Sequence, residues 1–152
     1  MIETSPMSAE RFTLDTNLLV YAFDKDAGKR HTMAQKVLAQ THKLDCVLTL
    51  QSLCEFFNTV TRKEKMPLDH AFDHILDLQE LFPTVHAKPS TLSRAIKMVS
   101  LHKLSFWDAM LWATARDSGV SVILSEDFQH NCLLDGVTII NPLKKNPILS
   151  VA

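Results

Sequence analysis

Short apolar runs of strand length alternate with longer amphipathic segments along the chain. Five runs predict strands, at residues 12–15, 46–50, 84–87, 120–124 and 137–140. The runs CVLTL and VSVIL are apolar at both alternating positions, as in strands that helices cover on both faces. The pattern therefore predicts an α/β fold, a three-layer α/β/α sandwich with a mainly parallel central sheet.

Six segments with helical periodicity lie between these strands. The predicted helices cover residues 17–23, 29–41, 51–63, 68–81, 91–100 and 106–118. Pro67 and Pro89 stand at natural helix starts, and Gly119 is placed to end the last helix. No repeat or linker divides the chain, so we predict a single domain over residues 1–152, with a core at about 11–142 and flexible ends.

Composition supports this picture and removes several function classes. The 152 residues are 46% hydrophobic and 22% charged, which excludes disorder for the bulk of the chain. The three glycines, Gly28, Gly119 and Gly136, lie too far apart to form either a GxGxxG or a GxxxxGK[ST] phosphate-binding loop. The formal net charge of -1 gives no global attraction to nucleic acid or to anionic membranes.

The cysteines and the chain start bear on the cellular compartment. The three cysteines have no CxxC spacing and each lies in or beside an apolar run, which favours buried free thiols over a zinc knuckle or disulfides. No run of 18 apolar residues and no signal-like start occurs. We therefore expect a cytoplasmic protein with no membrane association.

Three aspartates stand out against their apolar surroundings. Asp15 and Asp127 each follow a buried strand. Asp108 lies beside tryptophans in the first turn of the predicted helix 106–118, which has almost no polar face and is therefore expected to be buried on most sides. Each has a simple alternative explanation as a helix cap. Carboxyl ends of parallel strands meet at one sheet edge, where repulsion would raise the pKa values of grouped carboxylates unless a cation lay between them.

Glu55 is less conspicuous. It lies on the predicted helix 51–63 in a stripe with Gln51, Asn58 and Arg62, opposite the apolar face. Periodicity alone favours a solvated face. The functional alternative is that this stripe lines a wet cleft.

At these residues the chain resembles the PIN-domain family of metal-dependent ribonucleases, and within it the VapC-type toxins of bacterial toxin-antitoxin pairs. The resemblance extends over about residues 12–142. The matching motifs are LDTNLLVYAFD, LQSLCEFFNTVTRK, LSFWDAMLWATARDSG and VILSEDFQ followed by GVTIINPL. The chain departs from its relatives at Asn131, where a glycine is common.

The resemblance implies a catalytic site formed by Asp15, Glu55, Asp108 and Asp127, with Asn17 and Ser125 as polar neighbours. A Ser two positions before the acid selects Asp127 over Glu126 in the SED triplet. Oxygen ligands without Cys or His favour Mg²⁺ or Mn²⁺, held by the three aspartates, while Glu55 completes the acidic pocket or positions the attacking water.

The resemblance also implies a substrate and partners. It implies endonucleolytic cleavage of RNA that leaves a 5′ phosphate, a cognate antitoxin bound in a groove near the early helices and residues 72–82, and a homodimer. Asn17, Ser125, Asn58 and Arg62 are candidate substrate-binding residues. Arg62, with Lys63, Lys65 and Arg116, is a candidate for contacts with the RNA backbone.

Two other classes remain open from the residues alone. One is a catalytically silent PIN-like binding scaffold. The other is a different Mg²⁺-dependent phosphoryl hydrolase, although LDTN lacks the second Asp that the common aspartyl phosphatase motif requires.

Overall fold

The structure, a computed structural model, describes residues 10–62, 65–128 and 132–144. Its helices are α1 Thr16–Phe23, α2 Lys29–Thr41, α3 Leu50–Thr61, α4 Leu68–Leu81, α5 Pro89–His102 and α6 Phe106–Asp117, with a short 3₁₀ turn at Lys25–Ala27. Its strands are β1 Phe12–Leu14, β2 Leu48–Thr49, β3 Thr84–Val85, β4 Val122–Leu124, β5 Cys132–Leu134 and β6 Val137–Ile140. The predicted flexible ends lie mostly outside the described residues.

The strands form a mainly parallel sheet. β1, β4 and β6 are parallel neighbours, β2 and β3 form a second parallel pair, and β5 runs antiparallel to β6 at the edge. A parallel bridge between Phe12 and Cys46 joins the two parts. The resulting order is β3-β2-β1-β4-β6-β5, as expected for α/β crossovers with one antiparallel edge strand.

Successive residues of β4 face two separate hydrophobic clusters. Val122 and Leu124 pack with α1, α2, α3 and α4, whereas Ile123 packs with α5 and α6. Side chains alternate between the faces of a strand, so the sheet has a helical layer on each side. The predicted three-layer α/β/α sandwich is confirmed.

The predicted elements are observed with two differences in the sheet. Of the run 46–50 only Leu48–Thr49 is a strand, because Thr49 accepts a hydrogen bond from the backbone N–H of Ser52 (3.1 Å) and starts α3. β5 was not predicted. It pairs with β6 through a tight turn in which Asp135 and Gly136 both have positive φ, 46° and 85°, the Asp-Gly signature of a hairpin.

Two burial predictions are wrong. Cys46 is buried, but Cys54 is exposed because it lies on the outer side of α3. Helix α6 is not buried throughout. Trp112 is 1% exposed, whereas Trp107 at its start is 61% exposed, so Asp108 is not enclosed by two buried tryptophans.

Among the described residues, none of the helices has the length and apolar character needed to cross a membrane.

Candidate functional site

Three carboxylates from distant parts of the chain meet at one edge of the sheet. Asp15 follows β1, Asp127 follows β4, and Asp108 lies in the first turn of α6. One carboxylate oxygen from each lies within 4.8 Å of the others. The parallel pairing of β1 with β4 brings the first two together, since both strands end at the same edge.

Asp15 is the buried member of this group, only 6% exposed. Its Oδ1 accepts a hydrogen bond from the backbone N–H of Thr16 (2.7 Å), and its Oδ2 accepts one from the hydroxyl of Ser125 (2.6 Å). Leu14 pairs with Leu124 in the sheet, so the residues that follow them are neighbours. The register of two strands therefore fixes the orientation of this carboxylate.

Asp127 is exposed, and Asn17 holds it from the first turn of α1. The Nδ2 group of Asn17 donates to both carboxylate oxygens, at 3.0 and 2.9 Å. The backbone N–H of Asp127 donates to the Ser125 hydroxyl oxygen at 3.0 Å. Ser125 thus contacts both aspartates, and the predicted neighbours Asn17 and Ser125 each hold a carboxylate of the group.

Helix capping is also present, so the two explanations of these aspartates are compatible. Asp15 caps α1 through Thr16. The backbone N–H of Asp108 donates to the Ser105 hydroxyl oxygen at the start of α6 (3.2 Å). The N-terminal end of a helix carries a partial positive charge that favours a nearby carboxylate, which explains part of the acidic clustering.

Burial and the neighbouring carboxylates oppose ionisation of Asp15 and Asp108. Burial raises the pKa of Asp15 from 3.8 to about 7, and the charges of Asp127 and Asp108 add to the effect, against hydrogen bonds from Ser125 and Thr16. Burial, with a contribution from Asp127, also raises the pKa of Asp108 against the stabilising Ser105 hydroxyl. A cation between the carboxylates would relieve both costs.

The donors fit a hard divalent cation. The three residues of the group offer carboxylate oxygens, and in the described part of the chain no histidine or cysteine joins them. Mg²⁺ and Mn²⁺ prefer such oxygen ligands, whereas zinc sites use sulfur or nitrogen.

Glu55 lies outside this three-carboxylate group, on the exposed side of α3. It accepts a hydrogen bond from Gln51 Nε2 (2.9 Å), and the same amide donates to the backbone carbonyl of Trp107 (3.0 Å). Gln51 therefore links Glu55 to the start of α6, one residue before Asp108. Asn58 lies further along α3, Arg62 directly follows the helix, and both are exposed. Lys63 is outside the described residues.

A second contact network, not predicted from the sequence, holds the loop that carries Asp127. The side chain of Glu126 accepts a hydrogen bond from the Tyr21 hydroxyl and pairs with Arg30 (Nε to Oε2, 3.4 Å), whose guanidinium lies 5.8 Å from the centre of the Tyr21 ring. Ser125 and Asp127 hold the acidic site while Glu126 between them contacts α1 and α2. The segment bends after β4 ends at Leu124, so no regular sequence pattern could have predicted this split.

The fold and the acidic group define a class: an α/β domain with a cation-attracting site at the carboxyl edge of a parallel sheet. The model of the PIN domain family matches residues 12–131. The chain belongs to the PIN domain family.

Solved structures share the fold at low identity. VapC20 of Mycobacterium tuberculosis, described as a toxin that cleaves the sarcin-ricin loop, is 19% identical, with a TM-score of 0.63 over 76% of this chain and 89% of that one. A toxin-antitoxin complex from Klebsiella pneumoniae is 18% identical, with a TM-score of 0.62 over 86% and 96%. VapBC of Salmonella typhimurium, solved bound to DNA, is 11% identical, with a TM-score of 0.63 over 86% and 96%.

The search of curated proteins gives no match to this chain.

Proposed function

We propose that the protein is a Mg²⁺- or Mn²⁺-dependent endoribonuclease that acts in the cytoplasm as the toxin of a toxin-antitoxin pair. The observation that carries the proposal is the group formed by Asp15, Asp108 and Asp127, whose oxygens lie within 4.8 Å of one another in a PIN domain. Several similar folds are described as toxins or toxin-antitoxin complexes, which supports the biological role.

The three aspartates would hold the cation, and their neighbours keep them in place. Ser125 and the backbone of Thr16 fix both oxygens of Asp15, and Asn17 fixes both oxygens of Asp127. A divalent cation at such a site makes a water molecule more nucleophilic and offsets negative charge on the phosphate. Preorganised ligands of this kind reduce the reorganisation needed for reaction.

The remaining predicted residues would act on the water and the RNA. Glu55 is exposed and free to turn toward solvent once Gln51 releases it, so it is placed to orient the attacking water or accept its proton. Asn58 and Arg62 continue the same exposed side of α3 and would contact the RNA backbone. Cleavage would leave a 5′ phosphate.

The antitoxin would cover a cavity that the three aspartates do not line. A space of about 370 Å³ lies between α1 and α3, with Val20, Phe23 and Met66 among its lining residues. Exposed apolar side chains continue on α4, where Phe72 is 56% and Leu68 66% exposed. Apolar surface of this kind favours a protein partner. A homodimer would use a further exposed apolar strip on α5, which includes Leu92 and Ile96.

The decisive experiment compares RNA cleavage by the purified chain with that by Asp15→Asn and Asp108→Asn variants. The assay uses transfer and messenger RNA in Mg²⁺ or Mn²⁺, with EDTA controls. Asp77→Asn, an exposed carboxylate on α4, is the matched control. The proposal predicts cleavage that requires metal, disappears in both site variants and persists in the control.

Other outcomes identify the rival classes. Folded protein that neither cleaves RNA nor binds Mn²⁺ would support the silent scaffold. Metal binding without RNA cleavage, together with inhibition of phosphate-ester hydrolysis by a phosphate-mimicking fluoride complex, would support a different phosphoryl hydrolase.

A further inference from the structure

A cavity of about 550 Å³ lies between the first half of α3, helix α6 and the segment that follows β3. Its apolar lining includes Leu50, Trp107 and Met110, and its polar lining includes Gln51, Glu55 and Thr114. The antitoxin groove proposed above lies elsewhere, between α1 and α3.

The cavity and the acidic group adjoin at the start of α6. Trp107 lines the cavity, and the next residue, Asp108, belongs to the carboxylate group. Gln51 links α3 to the start of α6, because its amide donates both to the Trp107 carbonyl and to Glu55. A nucleic acid strand with a phosphate at the carboxylates would therefore place a neighbouring nucleotide at this opening.

The chemistry of the lining suits a base and not a phosphate. No lysine or arginine is among the described residues that line the cavity, and beside His86 the lining carries the carboxylate of Glu55, so the lining has no excess of positive charge to attract a phosphate. The indole of Trp107 is 61% exposed and contacts the Phe106 ring edge to face, with 4.9 Å between ring centres. Exposed aromatic faces stack nucleobases, and amide and hydroxyl groups match the donors and acceptors on base edges.

We propose that this cavity receives an unpaired nucleobase of single-stranded RNA, stacked on Trp107, next to the nucleotide whose phosphate lies at the acidic group. The placement of that phosphate rests on the proposed ribonuclease function. An apolar pocket beside the carboxylates allows a chain with no net positive charge to bind RNA through its bases as well as its backbone.

Intrinsic fluorescence tests base stacking directly, because the chain has two tryptophans and the other one, Trp112, is buried. We would titrate Asp15→Asn protein, which the proposed function makes unable to cleave, with a short single-stranded RNA. An oligomer with the same sugar-phosphate backbone but no bases serves as the ligand control. We expect saturable quenching by the RNA, and little quenching by the abasic oligomer.

Variants separate stacking from general RNA affinity. Trp107→Ala should weaken RNA binding about 5- to 150-fold, the range measured for loss of one stacked base, whereas Trp107→Phe should recover most of the affinity. In the cleavage assay Trp107→Ala should raise KM more than it lowers kcat, as for a lost binding contact. Leu133→Ala, an equally exposed apolar residue on β5 (67%), is the control and should match wild type.

The results that overturn the base-stacking proposal are distinct from those that overturn the ribonuclease. If the wild type cleaves RNA while Trp107→Ala keeps the same KM and quenching is absent, the cavity does not bind a base. If sedimentation shows a dimer that Trp107→Ala dissociates, without a change in monomer affinity for RNA, a second copy covers the cavity instead. If quenching by RNA occurs but the wild type cleaves nothing, the base site stands and the ribonuclease proposal fails.

Discussion

Replacing Asp15 by asparagine should stabilise the metal-free protein at alkaline pH while removing its response to divalent cations. Asn is nearly isosteric with Asp, and its Oδ1 can still accept from the Thr16 backbone, as Asp15 does. The change removes a buried negative charge beside Asp108 and Asp127. Sites that bind a ligand often reduce stability in its absence in this way.

The size and sign follow from the pKa of Asp15, which is 3.8 in the reference state and about 7 in the folded protein. A raised pKa means that the folded state binds the proton more tightly, so the stability that protonation of Asp15 contributes is fully present below about pH 4 and is lost as pH rises through 7. At about 1.36 kcal/mol per pKa unit, the loss between pH 5 and pH 8 is about 3 kcal/mol. Asp15→Asn lacks this loss.

The assay is urea denaturation in EDTA at pH 5 and pH 8, followed by thermal melts with Mn²⁺. The free energy of unfolding of the variant should exceed that of wild type by about 3 kcal/mol more at pH 8 than at pH 5. Mn²⁺ should raise the Tm of wild type, with a larger effect at pH 8, and leave the variant unchanged. Equal pH dependence in the two proteins would show that folding does not raise the pKa of Asp15.

Three further predictions test other parts of the site and fold. Asn17→Ala should weaken Mn²⁺ binding about 10- to 100-fold by calorimetry, because both oxygens of Asp127 lose their amide donor; an unchanged affinity would contradict this role. Tyr21→Phe should cost about 1–3 kcal/mol in urea denaturation, because the Glu126 carboxylate loses a donor; wild-type stability would show that this contact contributes nothing. Gly119→Ala should lower the free energy of unfolding in urea by about 1–2 kcal/mol, since Gly119 has φ 79° after α6. A smaller loss would contradict a left-handed backbone conformation at this position.

Much of the fold could be predicted because it depends on local pattern. Periodicity identified the six helices to within two or three residues, and the apolar strands identified the parallel sheet. β5 was missed because three residues give too little pattern, although the Asp135-Gly136 pair after it carries a hairpin signal. Cys54 and Trp107 were wrongly predicted to be buried. Hydrophobicity indicates which residues prefer burial, but the packing of neighbouring elements decides which of them are covered.

The candidate site could likewise be predicted from the sequence only in part. Asp15 and Asp127 could be brought together from sequence because parallel strands end at a common edge. The position of Glu55 relative to them could not be predicted, because the helical period fixes its face but not what lies opposite. Contacts such as Gln51 to the Trp107 carbonyl and Glu126 to Tyr21 depend on side-chain geometry between helices and loops distant in sequence.

The pairing of β1 with β4 has a consequence for how the protein is made. Ser125 contacts Asp15, and Asp127 contacts Asn17, across 110 residues of sequence in each case. Contacts of such long range form only after the intervening chain has been synthesised and folded. A nascent chain that ends before β4 has Asp15 and Asp108 but lacks Ser125 and Asp127. The acidic group therefore assembles only after β4 and the residues that follow it have been synthesised, so a ribosome-bound fragment that ends before β4 has an incomplete acidic group.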